Sequence, residues 1–235
     1  MSLNSIKLFC IPYSGGNAYS YSEFRKYLPG NIELYNLELP GRGKRISEPL
    51  LNSIEAMTED LFRQIENQID GTYVIFGHSL GALLSYTLCR LIEKKKLPAP
   101  AVLFVSGQTA ASLIECDDSH TLPDDRFIEM LRKMDGTPEE LLSDSSFVRY
   151  FLPVIRADFR SIAGYKYEPC DLPLKMPIVI FLGTQEDISD EEASAWKKET
   201  DMSISINRFE GGHFFIFKNT GEICRLIADK INQLT

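Results

Sequence analysis

The pentapeptide Gly77-His78-Ser79-Leu80-Gly81 limits the folds open to this chain more than any other feature. It follows the apolar run Tyr73-Val74-Ile75-Phe76 and precedes Ala82-Leu83-Leu84-Ser85-Tyr86. A β-rich run before it and a helix-compatible run after it predict a strand, a sharp turn and a helix, with Ser79 on the turn. Such a turn presses backbone against backbone, so positions 77 and 81 suit residues without a Cβ. Ser79 would then stand at the end of a strand, where a hydroxyl can act as a nucleophile.

The rest of the chain repeats the alternation. Strands are predicted over 5–11, 32–37, 73–76, 101–106, 178–182 and 203–209. Helices are predicted over 19–28, 54–69, from just after Ser79 to the Lys94-Lys95-Lys96 run, 191–199 with Asp190 as its N-cap, and 216–234. In 54–69 the apolar residues Ile54, Met57, Leu61, Phe62, Ile65 and Ile69 share one helical face. This order predicts an α/β fold, a mostly parallel central sheet flanked by helices, as one domain over residues 1–235. From 107 to 172 the alternation stops, and helical pieces at 124–134, 138–142 and 145–163 are separated by Gly, Pro and Asp. That stretch is too long for an ordinary connection and predicts a helical lid inserted between core strands.

Net charge decides against some partners. The chain has 25 basic and 33 acidic residues, a formal charge of −8, so nucleic acid and anionic membrane are not expected partners. No run reaches membrane-span length and the N-terminus shows no export signal, so a cytoplasmic protein and a monomer are expected. Cys10, Cys89, Cys116, Cys170 and Cys224 are scattered without a C-x-x-C pair. They read as small apolar fillers, with neither a disulfide framework nor a metal site expected.

A serine hydroxyl needs a base, and the base needs a carboxylate behind it. There are three histidines. His78 lies within the turn, where neighbouring side chains diverge, and reads as a packing or loop-orienting residue. His120 lies in the polar run Asp117-Asp118-Ser119-His120-Thr121 and reads as a solvated surface residue. His213 follows Gly211-Gly212 directly after a predicted strand, at the carboxyl end where open α/β sheets gather functional groups, and is the expected base. The acid is expected after strand 178–182, in Gly183-Thr184-Gln185-Glu186-Asp187-Ile188-Ser189-Asp190. Asp187 is the first choice, with Glu186 and Asp190 as alternatives separated only by loop register. An oxyanion hole would take the backbone N–H of Leu80 and a second N–H from Pro12-Tyr13-Ser14-Gly15-Gly16, that of Ser14 or alternatively Gly15.

These residues resemble the type II thioesterases, the stand-alone editing enzymes of nonribosomal peptide and polyketide synthases, within the α/β-hydrolase superfamily. The resemblance runs through Pro12-Tyr13-Ser14-Gly15-Gly16, Leu39-Pro40-Gly41-Arg42-Gly43 with Arg45 and Glu48-Pro49, and Phe76-Gly77-His78-Ser79-Leu80-Gly81-Ala82. It continues through Leu122-Pro123, Gly136-Thr137-Pro138, the run from Leu152-Pro153 to Ala157-Asp158-Phe159, Trp196 and Gly211-Gly212-His213-Phe214-Phe215. Ser14 stands where the family usually has alanine, and the 183–187 loop departs somewhat from the usual acid loop. The resemblance implies hydrolysis of acyl thioesters on the phosphopantetheine arms of acyl or peptidyl carrier domains, clearing misprimed or stalled groups. No cofactor of the enzyme's own is expected. The same residues would also serve a small-molecule esterase or, without catalysis, a ligand-binding α/β-hydrolase. Arg42, Lys44 and Arg45 form a basic cluster that could dock an acidic carrier or simply be a solvated loop. The lid is expected to limit the acyl pocket and favour short chains.

Overall fold

The computed structural model describes residues 5–115, 117–134, 142, 144–169 and 172–233. Six parallel strands form one sheet: β1 (Ile6–Ile11), β2 (Ile32–Asn36), β3 (Tyr73–His78), β4 (Leu103–Ser106), β5 (Ile178–Gly183) and β6 (Ile204–Phe209), in the order β2-β1-β3-β4-β5-β6. The central strands β3, β4 and β5 are buried at every residue, which is why they read as continuous apolar runs. Alternate side chains enter two cores. Phe9, Ile11 and Ile75 pack towards helices α1 (Ile54–Ile65) and α2 (Leu80–Lys94). Leu8, Cys10, Val74 and Phe76 pack on the other face with Phe24, Ile223 and Ile227.

Seven helices are labelled among the described residues: α1 and α2, then α3 (Asp124–Lys133), α4 (Ser145–Ala163), α5 (Asp190–Ser194), α6 (Phe215–Lys218) and α7 (Thr220–Asn232). The predicted 19–28 helix is only a 3₁₀ turn, Ser22–Lys26, and the predicted 216–234 helix is broken at Asn219 into α6 and α7. The N-cap of α5 is Ser189 rather than Asp190: Ser189 and Glu192 form a reciprocal capping box that satisfies two free N–H groups. Asp190 instead pairs with Arg208 at 2.7 Å.

Helical insertions lie between β4 and β5. They contain α3 and α4 and a small cluster of their own, Phe127, Leu131, Leu152 and Ile155. The predicted helical piece at 138–142 and the Gly136-Thr137-Pro138 motif fall outside the described residues, apart from Leu142. So do Cys116 and Cys170. Cys10, Cys89 and Cys224 are buried and unpaired among the described residues, and burial pushes their thiols up, that of Cys224 to about 12. Among the described residues no helix is long and apolar enough to cross a membrane.

Candidate active site

Ser79 occupies the junction of β3 and α2 with φ 56° and ψ −120°. A left-handed φ at a residue with a Cβ is strained and is kept only where the surroundings dictate it. Here two close approaches do so. A Cβ at Gly77 would lie 2.0 Å from the Gly81 carbonyl oxygen, and one at Gly81 would lie 2.2 Å from that of Ile11. The Ser79 N–H donates to the Ser106 carbonyl at 2.8 Å, tying the turn to β4.

His213 follows β6 and its Nδ1 meets Glu186 Oε1 at 2.7 Å. The other Glu186 oxygen accepts the Gly183 N–H at 2.7 Å, so both oxygens of this nearly buried carboxylate are occupied. The loops after β5 and β6 are joined by further bonds, Thr184 N–H to the Phe209 carbonyl at 2.8 Å and Gln185 N–H to that of Gly211 at 3.0 Å. Glu186, not Asp187, is therefore the carboxylate behind His213. The chain folds back at Gly183, which turns residue 186 inward and leaves Asp187 exposed at the cavity rim. Asp190, the other alternative, is exposed and paired with Arg208. His213 Nε2 is buried and has no hydrogen-bond partner among the described residues, which leaves it free to accept a proton.

His78 is fully buried, with Nδ1 2.9 Å from Ser106 Oγ and its ring 4.8 Å from that of His213. Burial, followed by the neighbouring His213, holds its pKa well below the usual value, so it remains a neutral packing surface for the His213 ring. His120 sits in a 3₁₀ turn and is half-buried, with a buried Nδ1 that lacks a partner among the described residues, so it is not the solvated residue its polar neighbours suggested.

Backbone donors can be sorted by what they already bind. Leu80 opens α2, where first-turn N–H groups have no intrahelical acceptor. In the turn after β1, the Gly16 N–H donates to the Tyr13 carbonyl at 2.8 Å and the Gly15 N–H donates to Asp158 Oδ2 at 2.8 Å. The Gly15 N–H is thereby already engaged by a carboxylate. Ser14, Ser79, Glu186 and His213 all line one cavity of about 960 Å³, whose far wall includes Phe151 and Ile155 of α4. Trp196, fully buried, reaches the rim by donating its indole N–H to the Gln108 carbonyl at 3.2 Å.

The basic cluster is not a free surface. Arg42 is 4% exposed and forms a two-pronged ion pair with the fully buried Asp158, at 2.7 and 2.8 Å. Arg45 is held by Asp60 and Glu48, both at 2.6 Å. Only Lys44 is exposed, with its ammonium 5.9 Å above the Tyr19 ring. Asp158 was visible in the sequence without a role. Its one signal was an acid three residues after Ile155, on the face of a helix that is otherwise apolar.

Residues 6–231 match the family described as thioesterase domain. Gramicidin S biosynthesis protein GrsT of Aneurinibacillus migulanus is 35% identical over 98% of this chain and 90% of its own length. Thioesterase PikA5 of Streptomyces venezuelae is 30% identical over 97% and 82%. Among solved structures, ClbQ from the colibactin pathway superposes with a TM-score of 0.93 at 33% identity, over 98% of both chains. The type II thioesterase BorB from the borrelidin cluster superposes with a TM-score of 0.88 at 31% identity, over 96% and 92%. With the family matched over nearly its whole length and the parallel sheet in place, the chain belongs to the thioesterases, as a type II member of the α/β-hydrolase superfamily.

Proposed function

We propose that the protein hydrolyses acyl thioesters held on carrier-domain phosphopantetheine arms through an acyl-enzyme on Ser79. The observation that carries this reading is His213, with Nδ1 on Glu186 and Nε2 unpartnered, in one cavity with the strained Ser79. Ser79 Oγ attacks the thioester carbonyl as His213 Nε2 takes its proton. Glu186 holds the imidazole in the tautomer with the proton on Nδ1 and stabilises the imidazolium that forms. The N–H groups of Leu80 and Ser14 receive the developing oxyanion. Collapse breaks the C–S bond, and the proton on Nε2 passes to the departing thiolate. Water, deprotonated by His213, then attacks the Ser79 ester and releases the acid, returning the proton to Oγ.

A thiol of pKa about 8.5 is a good leaving group, so the chemistry asks little of the site beyond placement. The insertion between β4 and β5 serves as a lid, its aromatic and aliphatic side chains forming the acyl wall. At about 960 Å³ the cavity is near the upper end for small-ligand sites. Its volume by itself thus sets no short-chain limit. Carrier docking cannot rest on Arg42 and Arg45, whose guanidiniums are already paired.

Mass spectrometry of a purified acylated carrier, before and after adding the protein, tests the reading. Wild type is expected to leave the free-thiol carrier, and Ser79→Ala to lose about 10⁴-fold or more in rate while remaining folded. Equal efficiency on carrier-bound and free thioesters, or a preference for oxygen esters, would sink the editing function.

A further inference from the structure

The oxyanion loop is anchored from the insertion. Asp158 is wholly buried on α4, 143 residues from the Gly15 N–H it accepts at 2.8 Å. The same oxygen accepts Arg42 Nη1 at 2.7 Å, and the other accepts Arg42 Nη2 at 2.8 Å. One and two turns earlier on α4, Ile155 and Phe151 lie against Gly15 so closely that a Cβ there would fall 2.8 and 2.9 Å from them. Gly15 has φ +77° and so holds a conformation that few other residues would maintain.

The effect on the reacting centre follows from peptide geometry. A trans peptide points its N–H opposite to its C=O, so the Ser14 N–H is aimed by whatever holds the Tyr13 carbonyl. That carbonyl accepts the Gly16 N–H at 2.8 Å, and the intervening peptide is fixed by Asp158 through the Gly15 N–H. Arg42 in turn fixes Asp158, since both carboxylate oxygens are engaged.

We propose that Asp158 is a positioning residue for catalysis: its carboxylate, clamped by Arg42, holds the 13–16 turn so that the Ser14 N–H faces the oxyanion. The lid helix α4 then completes the oxyanion hole as well as walling the cavity. This inference rests on the serine-hydrolase reading above.

Asp158→Ala would strand a buried guanidinium and threaten folding, so paired substitutions are the better test. Arg42→Met/Asp158→Leu removes the charges together with the acceptor for Gly15. Arg42→Gln/Asp158→Asn removes the charges but keeps a carbonyl acceptor. On a small activated thioester, the first pair is expected to lose about 10- to 100-fold in kcat with KM changed by less than about threefold. Its affinity for a boronic acid that forms a tetrahedral adduct on Ser79 should fall in step. The second pair should recover most of both. A folded Arg42→Met/Asp158→Leu protein with wild-type kcat and boronate affinity would overturn the proposal, as would equal losses in two folded pairs. If the first pair does not fold, a large kcat loss in a folded Arg42→Gln/Asp158→Asn protein overturns it, and near wild-type kcat there supports it. Wild type that neither turns over the thioester nor is labelled at Ser79 by a sulfonyl fluoride would refute the hydrolase reading itself.

Discussion

The sheet and the insertion between β4 and β5 are held by different forces. The sheet is buried on both faces, with aromatic and aliphatic side chains of β1, β3, β4 and β5 almost wholly excluded from water. Among the described residues the insertion has a four-residue buried cluster and is fastened by polar ties. Arg42 grips Asp158 from the 38–45 loop, and Arg156 donates to the carbonyls of His120 and Leu122 at 2.7 Å and pairs with Asp124 at 2.6 Å. The side chains proposed for catalysis, Ser79, His213 and the Glu186 that orients it, all follow strand ends of the sheet. The insertion contributes the cavity wall and a grip on one loop. Rigid apolar burial thus sets the reacting atoms, and directional polar contacts set what surrounds them.

The sharpest way to break this contrast is at the acid loop. Glu186→Gln should lower kcat on a carrier-bound thioester by about 10³- to 10⁴-fold with the fold intact, because the imidazole loses the partner that selects its tautomer. Asp187→Asn and Asp190→Asn, exposed beside it, should stay within about threefold. The reverse pattern would mean that the loop rearranges around substrate.

A smaller effect distinguishes the two cores by stability. Leu88→Ala, in the fully buried face of α2, should cost about 2–5 kcal/mol in urea unfolding. Leu131→Ala, in the small cluster of the insertion, should cost about 2 kcal/mol or less, yet it should disturb acyl turnover more because Leu131 lines the cavity. Equal stability costs would show the insertion to be as tightly integrated as the sheet.

The least effect expected is a pH slope from His78. Its folded pKa lies well below 6.5, so in the unfolded chain it takes up a proton below about pH 6.5 that the folded protein refuses. The stability it supports is present above that pH and is lost as the pH falls towards the folded value. Thermal unfolding of wild type should therefore lose more Tm between pH 7.5 and 5.5 than that of His78→Phe. A matching slope in both would assign the pH dependence to other groups.

Much of this protein was determined by local pattern. The central strands β3, β4 and β5 emerged from continuous apolar runs because strands covered on both faces leave no polar side to confuse the reading, whereas the edge strands β2 and β6 alternate apolar with polar residues. The turn at Ser79 and the placement of His213 after Gly211-Gly212 were equally legible, since each depends on residues adjacent in the chain. The break at Asn219 and the Ser189 cap lay within the usual blur of element ends. Tertiary structure alone decided which carboxylate contacts His213, because a one-residue choice between Glu186 and Asp187 turns on how the loops after β5 and β6 meet. It also decided the fate of Arg42, which reads locally as one of three clustered cations but finds its counter-charge 116 residues away in α4. Periodicity records which side of an element faces the core. It carries no record of which polar groups meet across the fold, and the Glu186–His213 and Arg42–Asp158 contacts are meetings of that kind.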